Sequence, residues 1–447
     1  MHYEGRSRPR QDNPREIAAY RKRYGKETDP YYNLNLSLED ETFSIHPRCS
    51  SAATEAFVAI MVSHDLALEG APKCMFDLVV ALRDKGIVVP KVVSPKDGPL
   101  RGEYEKQGIE VAIVPFDLDL NIGSSLAGLD AAIAPLRTMM RATQASVVYA
   151  NTLVTFWAIA AAHREGLPSI WNPRESFPSE TYFNYLPAPV RAEAYACFGF
   201  AYKVLFVSNA SRRNWARFDS AYRFEVITDS LRDEDVACWR DRHRRDAARR
   251  DLGIDEDAIC LLALGTVWDH KGQMDIVKAL KGLDADIVTK IRIFIVGDRP
   301  GAYSDSIKNF AAQELTDLER SCLHILPATD DPYQFLAAAD VGLCCSRVDT
   351  FPRVILEYMA FDLPIITTPV FGIAEQVQPN VNAKIYEPDD IPMLRAHIRT
   401  MSTNSDERKR MATNSEPVLR CLPDFHAMVE RYAQVFREAR FAPVDTE

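Results

Sequence analysis

Several familiar signatures are missing from this sequence. No stretch approaches the roughly 18 consecutive apolar residues of a membrane-spanning helix. Nine cysteines are present, an odd number, and none forms a CxxC pair; this suits a reducing compartment. The nine histidines build no HxH or HExxH pattern and no Cys/His cluster, so no metal site is expected. The GxGxxG fingerprint of dinucleotide enzymes is absent, which argues against an NAD enzyme, and so is the GxxxxGK loop followed by Ser or Thr. Positive charge is not in excess: 53 Lys and Arg against 63 Asp and Glu leave a formal −10, which argues against a broad nucleic-acid surface. The N-terminal MHYEGRSRPRQDNPRE is polar and lacks the apolar region of a signal peptide. Together these absences predict a cytoplasmic protein. One basic run, Arg240 to Arg250 (RDRHRRDAARR), is interleaved with acids and reads as a solvated helix face; peripheral contact with anionic lipid at the inner face of a membrane is the alternative.

What is present is a chain of 447 residues, 47% hydrophobic and 26% charged, enough for two or three globular domains. Residues 1–52 are charged and rich in Tyr, Asn and Pro, with a helix expected over Pro14–Tyr24; they read as an extension or lid. From Ala56 onward, apolar runs at 56–63, 88–93, 111–115, 146–151, 169–172 and 203–209 alternate with helical stretches. The pattern restarts at 259–265, 291–297, 323–327, 341–346, 364–369 and 383–387, after a linker near 221–256. Many of these runs are apolar throughout, as strands buried on both faces are. The expected fold is therefore α/β: two tandem Rossmann-like parallel-sheet domains facing a cleft, over 53–224 and 225–420, with a helical C-terminal tail over 421–447. Ligands of such sheets bind beyond the carboxyl ends of the strands, and with two sheets the natural site is the cleft between them.

Residues after strand ends are therefore the informative ones. In the first domain SHDLALEGAPK (63–73) supplies His64 and Gly70, and later strand ends supply Asn151-Thr152 and the NPRES segment with Arg174 and Glu175. Each has an ordinary reading beside a functional one: a loop histidine, a helix-opening glycine, a local Arg174–Glu175 ion pair. In the second domain GTVWDHKGQ (265–273) gives Gly265 and Thr266 in a tight turn and Lys271 near a helix start, where a lysine neutralises phosphate as a point charge.

The segment DTFPRVILEYMAFDLP (349–364) holds two acids, Asp349 and Glu357, around an apolar helix whose stripe is Val354, Ile355, Tyr358 and Met359. With Pro352 at the first helical position, the cap falls on Phe351, which has no side-chain oxygen. The amides of Arg353 and Val354 then lack a local partner. Water or Asp349 is the ordinary answer; an anion at the positive end of the helix dipole is the other. A lysine and such a helix end suit a diphosphate. A carboxylate at the edge of the helix suits a ribose diol, and the second carboxylate suits sugar hydroxyls.

The acid-x7-acid segment Asp349…Glu357, with SHDLALEGAPK, NTLV (151–154), GTVWDHKGQ and AAADVGLCCS (337–346), resembles the family-4 retaining glycosyltransferases with their two-domain GT-B fold, over about residues 57–440. The resemblance implies a donor side in the second domain and an acceptor side in the first, crossed by the final helix. It implies that Glu357 binds the donor ribose and that Asp349 binds the donor sugar with the backbone of Phe351, Pro352 and Arg353. Lys271 and the amides of Arg353 and Val354 would hold the diphosphate beside the Gly265–Thr266 turn. Gly70 would let the first domain approach phosphate and acceptor, near His64, Asn151 and Arg174. Asp349, Lys271 and Glu357 carry the expected catalytic roles. No cofactor and no metal are implied, only a nucleoside-diphosphate-sugar donor and a glycan or lipid-linked glycan acceptor. The chain departs from the family pattern in having Asp rather than Glu at 349, Thr266 for an arginine, Tyr358 for an alanine, Phe371-Gly372 for a glycine pair, and Asn151 or Arg174 for a cleft histidine. Two other readings stay open: a non-catalytic nucleotide-sugar-binding scaffold, and a nucleotide-sugar epimerase.

Overall fold

The computed structural model describes residues 55–116 and 125–444. The helix expected over Pro14–Tyr24 and the extension 1–52 lie outside the described residues.

The first sheet has seven parallel strands: β1 (Phe57–Val62), β2 (Val88–Ser94), β3 (Glu110–Ile113), β4 (Val147–Asn151), β5 (Ser169–Asn172), β6 (Lys203–Phe206) and β7 (Phe224–Val226), in the order β3-β2-β1-β4-β5-β6-β7. The second has six, also parallel: β8 (Ile259–Leu264), β9 (Ile291–Asp298), β10 (Leu323–Pro327), β11 (Val341–Cys344), β12 (Ile365–Thr367) and β13 (Ala383–Ile385), in the order β10-β9-β8-β11-β12-β13. The apolar runs become strands because both faces are covered. Along β1, Ile60 and Val62 enter one core while Ala59 and Met61 enter the other; along β8, Cys260 and Leu262 alternate in the same way with Leu261 and Ala263. Strand order reverses between β1 and β4 and again between β8 and β11. At such a reversal neighbouring crossovers leave on opposite faces and open a crevice.

Two expectations change. Residues 224–226, placed in the linker, form the seventh strand of the first sheet; three residues are too few to show as an apolar run. The basic run is not simply a solvated face. It forms the helices Asp233–Arg242 and Arg245–Asp251, and Arg249 is buried, donating to the carbonyls of Ala338 (3.1 Å) and Ala258 (2.6 Å) and pairing with Asp340 (3.1 Å). The last helix, Phe425–Ala439, sends Met428, Val429, Tyr432 and Phe436 into the first domain's core beside Met61 and Val79. Among the described residues no helix is long and apolar enough to cross a membrane.

Beneath the second crevice, β8 and β11 pair at only two positions, Val341 with Leu261 and Gly342 with Leu262. The Tyr358 side chain takes over where they part. Its ring lies against Gly342, where an added Cβ would be 2.4 Å from the ring. Its hydroxyl accepts from Leu264 N (3.0 Å) and directs its hydrogen between the carbonyls of Leu262 (2.9 Å) and Leu343 (3.2 Å). This tyrosine therefore stitches two strands together. Tyr358→Phe leaves the part-buried Leu264 amide without its acceptor and the two carbonyls without their donor, and is expected to destabilise the fold by about 1–3 kcal/mol. Urea unfolding measures this; an unchanged midpoint would mean the hydroxyl does not hold the strands.

Candidate functional site

Four of the sequence-derived residues converge at the carboxyl ends of β8 and β11. Gly265, Lys271, Asp349 and Val354 line one small cavity of about 40 Å³ together with Ser346 and Cys344. Lys271 ends a short 3-10 turn, Asp269–Lys271, and Gly272 follows with φ +67°. A side chain there would be strained, and its Cβ would stand 2.1 Å from the Cys345 carbonyl. Glycine thus lets the loop lie directly on the end of β11. Lys271 Nζ is 2.7 Å from Asp349 Oδ2, which also accepts from Ser346 Oγ (2.9 Å). Burial works against the charge on Lys271, but Asp349, by its charge and its hydrogen bond, overrides it and holds the ammonium pKa above the usual lysine value. The lysine expected as a phosphate ligand is thus engaged by the acid expected as a sugar ligand. Thr266 contributes its carbonyl, which accepts from Gln273 Nε2 (3.0 Å).

The helix after β11 runs Arg353–Ala360, one residue later than the sequence suggests. Pro352, not Phe351, is its cap: the ring fixes φ at −61°, but ψ is 122°, extended. Among the described residues no side chain caps the helix, in keeping with the absence of an oxygen on either residue. Phe351 is buried in the second domain's core rather than facing the cavity. The Pro352 carbonyl accepts from Gln376 Nε2 (3.1 Å). Glu357 does not line the cavity either. It is buried and accepts from Arg353 Nε (3.0 Å). The Arg353 side chain, unused in the sequence reading, reaches the first domain and pairs with Asp77 at 2.8 Å. Each partner also has an i,i+4 pair on its own helix, Arg353 with Glu357 (3.0 Å) and Lys73 with Asp77 (2.8 Å), so sequence spacing pointed only to these local pairs. Phe371 adopts the left-handed φ of +44° that glycine would favour.

Across the cleft, Gly70 opens the helix Gly70–Asp84, and an added Cβ would meet nothing within 4 Å. Asn151 at the end of β4 donates to the Ala71 carbonyl (3.0 Å) and accepts from Arg174 Nε (2.7 Å), so the structure joins these two predicted residues to the helix start. Arg174 does not pair with Glu175. It pairs with Asp229, both buried; burial opposes its charge, and Asp229 holds the guanidinium charged. His64 stands apart from these bonds, 3.5 Å from Asp65, with Nδ1 buried and lacking a hydrogen-bond partner among the described residues. Glu175 accepts from the amides of Leu153 and Arg174, each at 2.8 Å. Its pKa is raised by burial, against those two hydrogen bonds. The domains also touch directly: Thr350 donates to the Arg174 carbonyl (2.6 Å), Arg299 pairs with Glu69 (2.6 Å), and Glu375 accepts from the amides of Asn209 (2.9 Å) and Ala210 (2.7 Å).

Two parallel sheets, each with a reversal crevice, closed onto each other along their carboxyl ends and tied by the last helix, are the GT-B architecture. The family described as glycosyl transferases group 1 matches residues 244–417, and glycosyltransferase family 4 matches residues 68–228. The two matches together span well over half of the sequence, and the chain belongs to this glycosyltransferase family. Curated relatives include the lipopolysaccharide glucosyltransferase WaaG of Escherichia coli, 26% identical over 195 residues (43% of this chain, 50% of WaaG). Another is a D-inositol 3-phosphate glycosyltransferase of Catenulispora acidiphila, 28% identical over 207 residues (44% of this chain, 48% of the relative). The chain spans about half the length of these curated relatives. Among solved structures, Anabaena HepE in complex with UDP and glucose superposes with a TM-score of 0.69 at 21% identity, covering 85% of this chain and 99% of HepE. Sucrose-phosphate synthase from Thermosynechococcus elongatus gives 0.72 at 16%, covering 86% and 98%. At these identities the likeness speaks for the fold.

The raised pKa of Glu175 has a definite sign. Over the window from the unfolded value of about 4.3 up to the folded one, the folded state keeps a proton that the unfolded state has released. Stability therefore falls as pH rises through that window. Glu175→Gln is expected to flatten the stability profile above about pH 4. Urea unfolding at several pH values tests it; parallel curves for the two proteins would show that Glu175 contributes nothing to the slope.

Proposed function

We propose that the protein is a retaining glycosyltransferase that moves a hexose-type sugar from a nucleoside-diphosphate-sugar to a hydroxyl of a glycan or lipid-linked glycan, without a metal. The observation that carries this is the convergence of Gly265, Lys271, Asp349 and Val354 on one cavity beside the start of an uncapped helix. Family membership supports it. So do the curated relatives that act as glycosyltransferases, and a structural neighbour solved with UDP-glucose supports the donor class.

The chemistry follows from the charges. In the free protein Lys271 and Asp349 neutralise each other. A bound donor divides the pair: the ammonium turns to the diphosphate and the carboxylate to the sugar hydroxyls. Lys271 and the amides of Arg353 and Val354 then stabilise the leaving diphosphate as its charge develops. The donor phosphate takes the acceptor proton, so no dedicated protein base is required, and Asp349 orients the sugar rather than attacking it. Glu357 receives the ribose diol. His64, with Nδ1 unpartnered, and the Gly70 helix start lie on the acceptor side. Contact with a membrane surface fits a lipid-linked acceptor.

Calorimetric titration with UDP, GDP, ADP, CMP and dTDP tests the reading. One nucleotide is expected to bind, and Glu357→Ala to weaken it by about 1–3 kcal/mol. Asp349→Ala is expected to spare free nucleotide binding and reduce sugar transfer. Unchanged affinity in the first variant, or normal turnover in the second, would remove that residue from the site. Binding without turnover would favour the scaffold, and donor conversion without acceptor the epimerase.

A further inference from the structure

Four side chains of alternating charge form a line across the cleft. Lys73 Nζ lies 2.8 Å from Asp77 Oδ1, Asp77 Oδ2 lies 2.8 Å from Arg353 Nη1, and Arg353 Nε lies 3.0 Å from Glu357 Oε1. The first two residues belong to the helix Gly70–Asp84 of the first domain, the last two to the helix Arg353–Ala360 of the second. Asp77, Arg353 and Glu357 are all buried. In a site closed to water, a guanidinium held by two carboxylates fixes both of them, because its planar fork admits few orientations. Arg353 thereby sets the orientation of Glu357 and the spacing between the two helices at once. One further detail separates it from a brace serving the fold alone. Its third nitrogen, Nη2, is buried with no hydrogen-bond acceptor among the described residues. A ribose or phosphate oxygen bound beside Glu357 would satisfy that donor.

We propose that Arg353 is a positioning residue through which Asp77, in the opposite domain, controls the nucleotide site. Asp77 anchors the guanidinium, and the anchored guanidinium presents Glu357 to the ribose diol. If Asp77 loses its charge, Arg353 is free to turn its whole fork onto Glu357 and occupy the oxygens the diol needs. The inference rests on the reading of Glu357 as the ribose acceptor.

A double-mutant cycle of Asp77→Asn and Glu357→Gln, with Arg353→Lys beside it, tests this by calorimetric titration with UDP, and with GDP, ADP and dTDP in parallel. Asp77→Asn is expected to weaken the nucleotide on the order of tenfold, although Asp77 lies in the other domain. In the Glu357→Gln background the same change is expected to have little further effect, because the relay has lost its end point. Arg353→Lys keeps a buried positive charge but cannot hold two carboxylates, and is expected to resemble Asp77→Asn; it decides the matter if Asp77→Asn does not fold. Wild-type affinity in Asp77→Asn or Arg353→Lys, or losses that multiply independently in the double variant, would overturn the relay while leaving the Glu357 reading intact. Failure of the wild-type protein to bind any of the nucleotides would overturn that reading and the relay with it.

Discussion

Charges taken out of water have to be matched, and this requirement organises the cleft. Arg174–Asp229 and Arg353–Asp77 are both buried ion pairs. Desolvating each ion costs several kcal/mol, and the pair recovers this only when its remaining hydrogen bonds are also made. Arg174 completes its set through Asn151, which in turn holds the Ala71 carbonyl at the first turn of the helix Gly70–Asp84. The pairs therefore contribute direction more than net stability. They determine where the first domain's glycine-led helix start stands relative to the second domain's cavity.

Further contacts between the domains include a hydroxyl on a carbonyl, an ion pair between Glu69 and Arg299, and a carboxylate, Glu375, on two amides that open the helix Asn209–Trp215, beside the Phe177–His270 ring contact and Val207, which packs into the second domain's core. Glu375 acts at that helix as an internal anion, favoured by the dipole in the same way as a ligand. The Lys271–Asp349 pair is likewise matched internally, each charge meeting the other within the cavity.

Strand positions were readable from the sequence because many of the parallel strands are buried on both faces and apolar throughout, and twelve strands surfaced as runs. The thirteenth, Phe224–Val226, is an edge strand of three residues and leaves no such trace. The residues of the cavity were readable because they follow strand ends, where the topology puts ligands. Side-chain partners were less accessible. Arg174 stands next to Glu175 in sequence yet pairs with Asp229, since β5 and the segment after β7 converge only once the sheet is formed. Arg249, in a run that looked solvated, is drawn inward by carbonyls at the ends of other elements. The helix cap moved by one residue because proline fixes φ but leaves ψ free.

Gly342 and Tyr358 bear on how the sequence can change over time. The ring fills the space a Cβ at 342 would need, and the hydroxyl serves backbone groups that the two parting strands leave unmatched. A larger residue at 342 collides with the tyrosine, and a smaller one at 358 leaves a hole and an unsatisfied amide. Neither position can drift alone. A sequence that keeps the tyrosine is held to the glycine, and leaving the pair runs through a double replacement or through an intermediate of lowered stability.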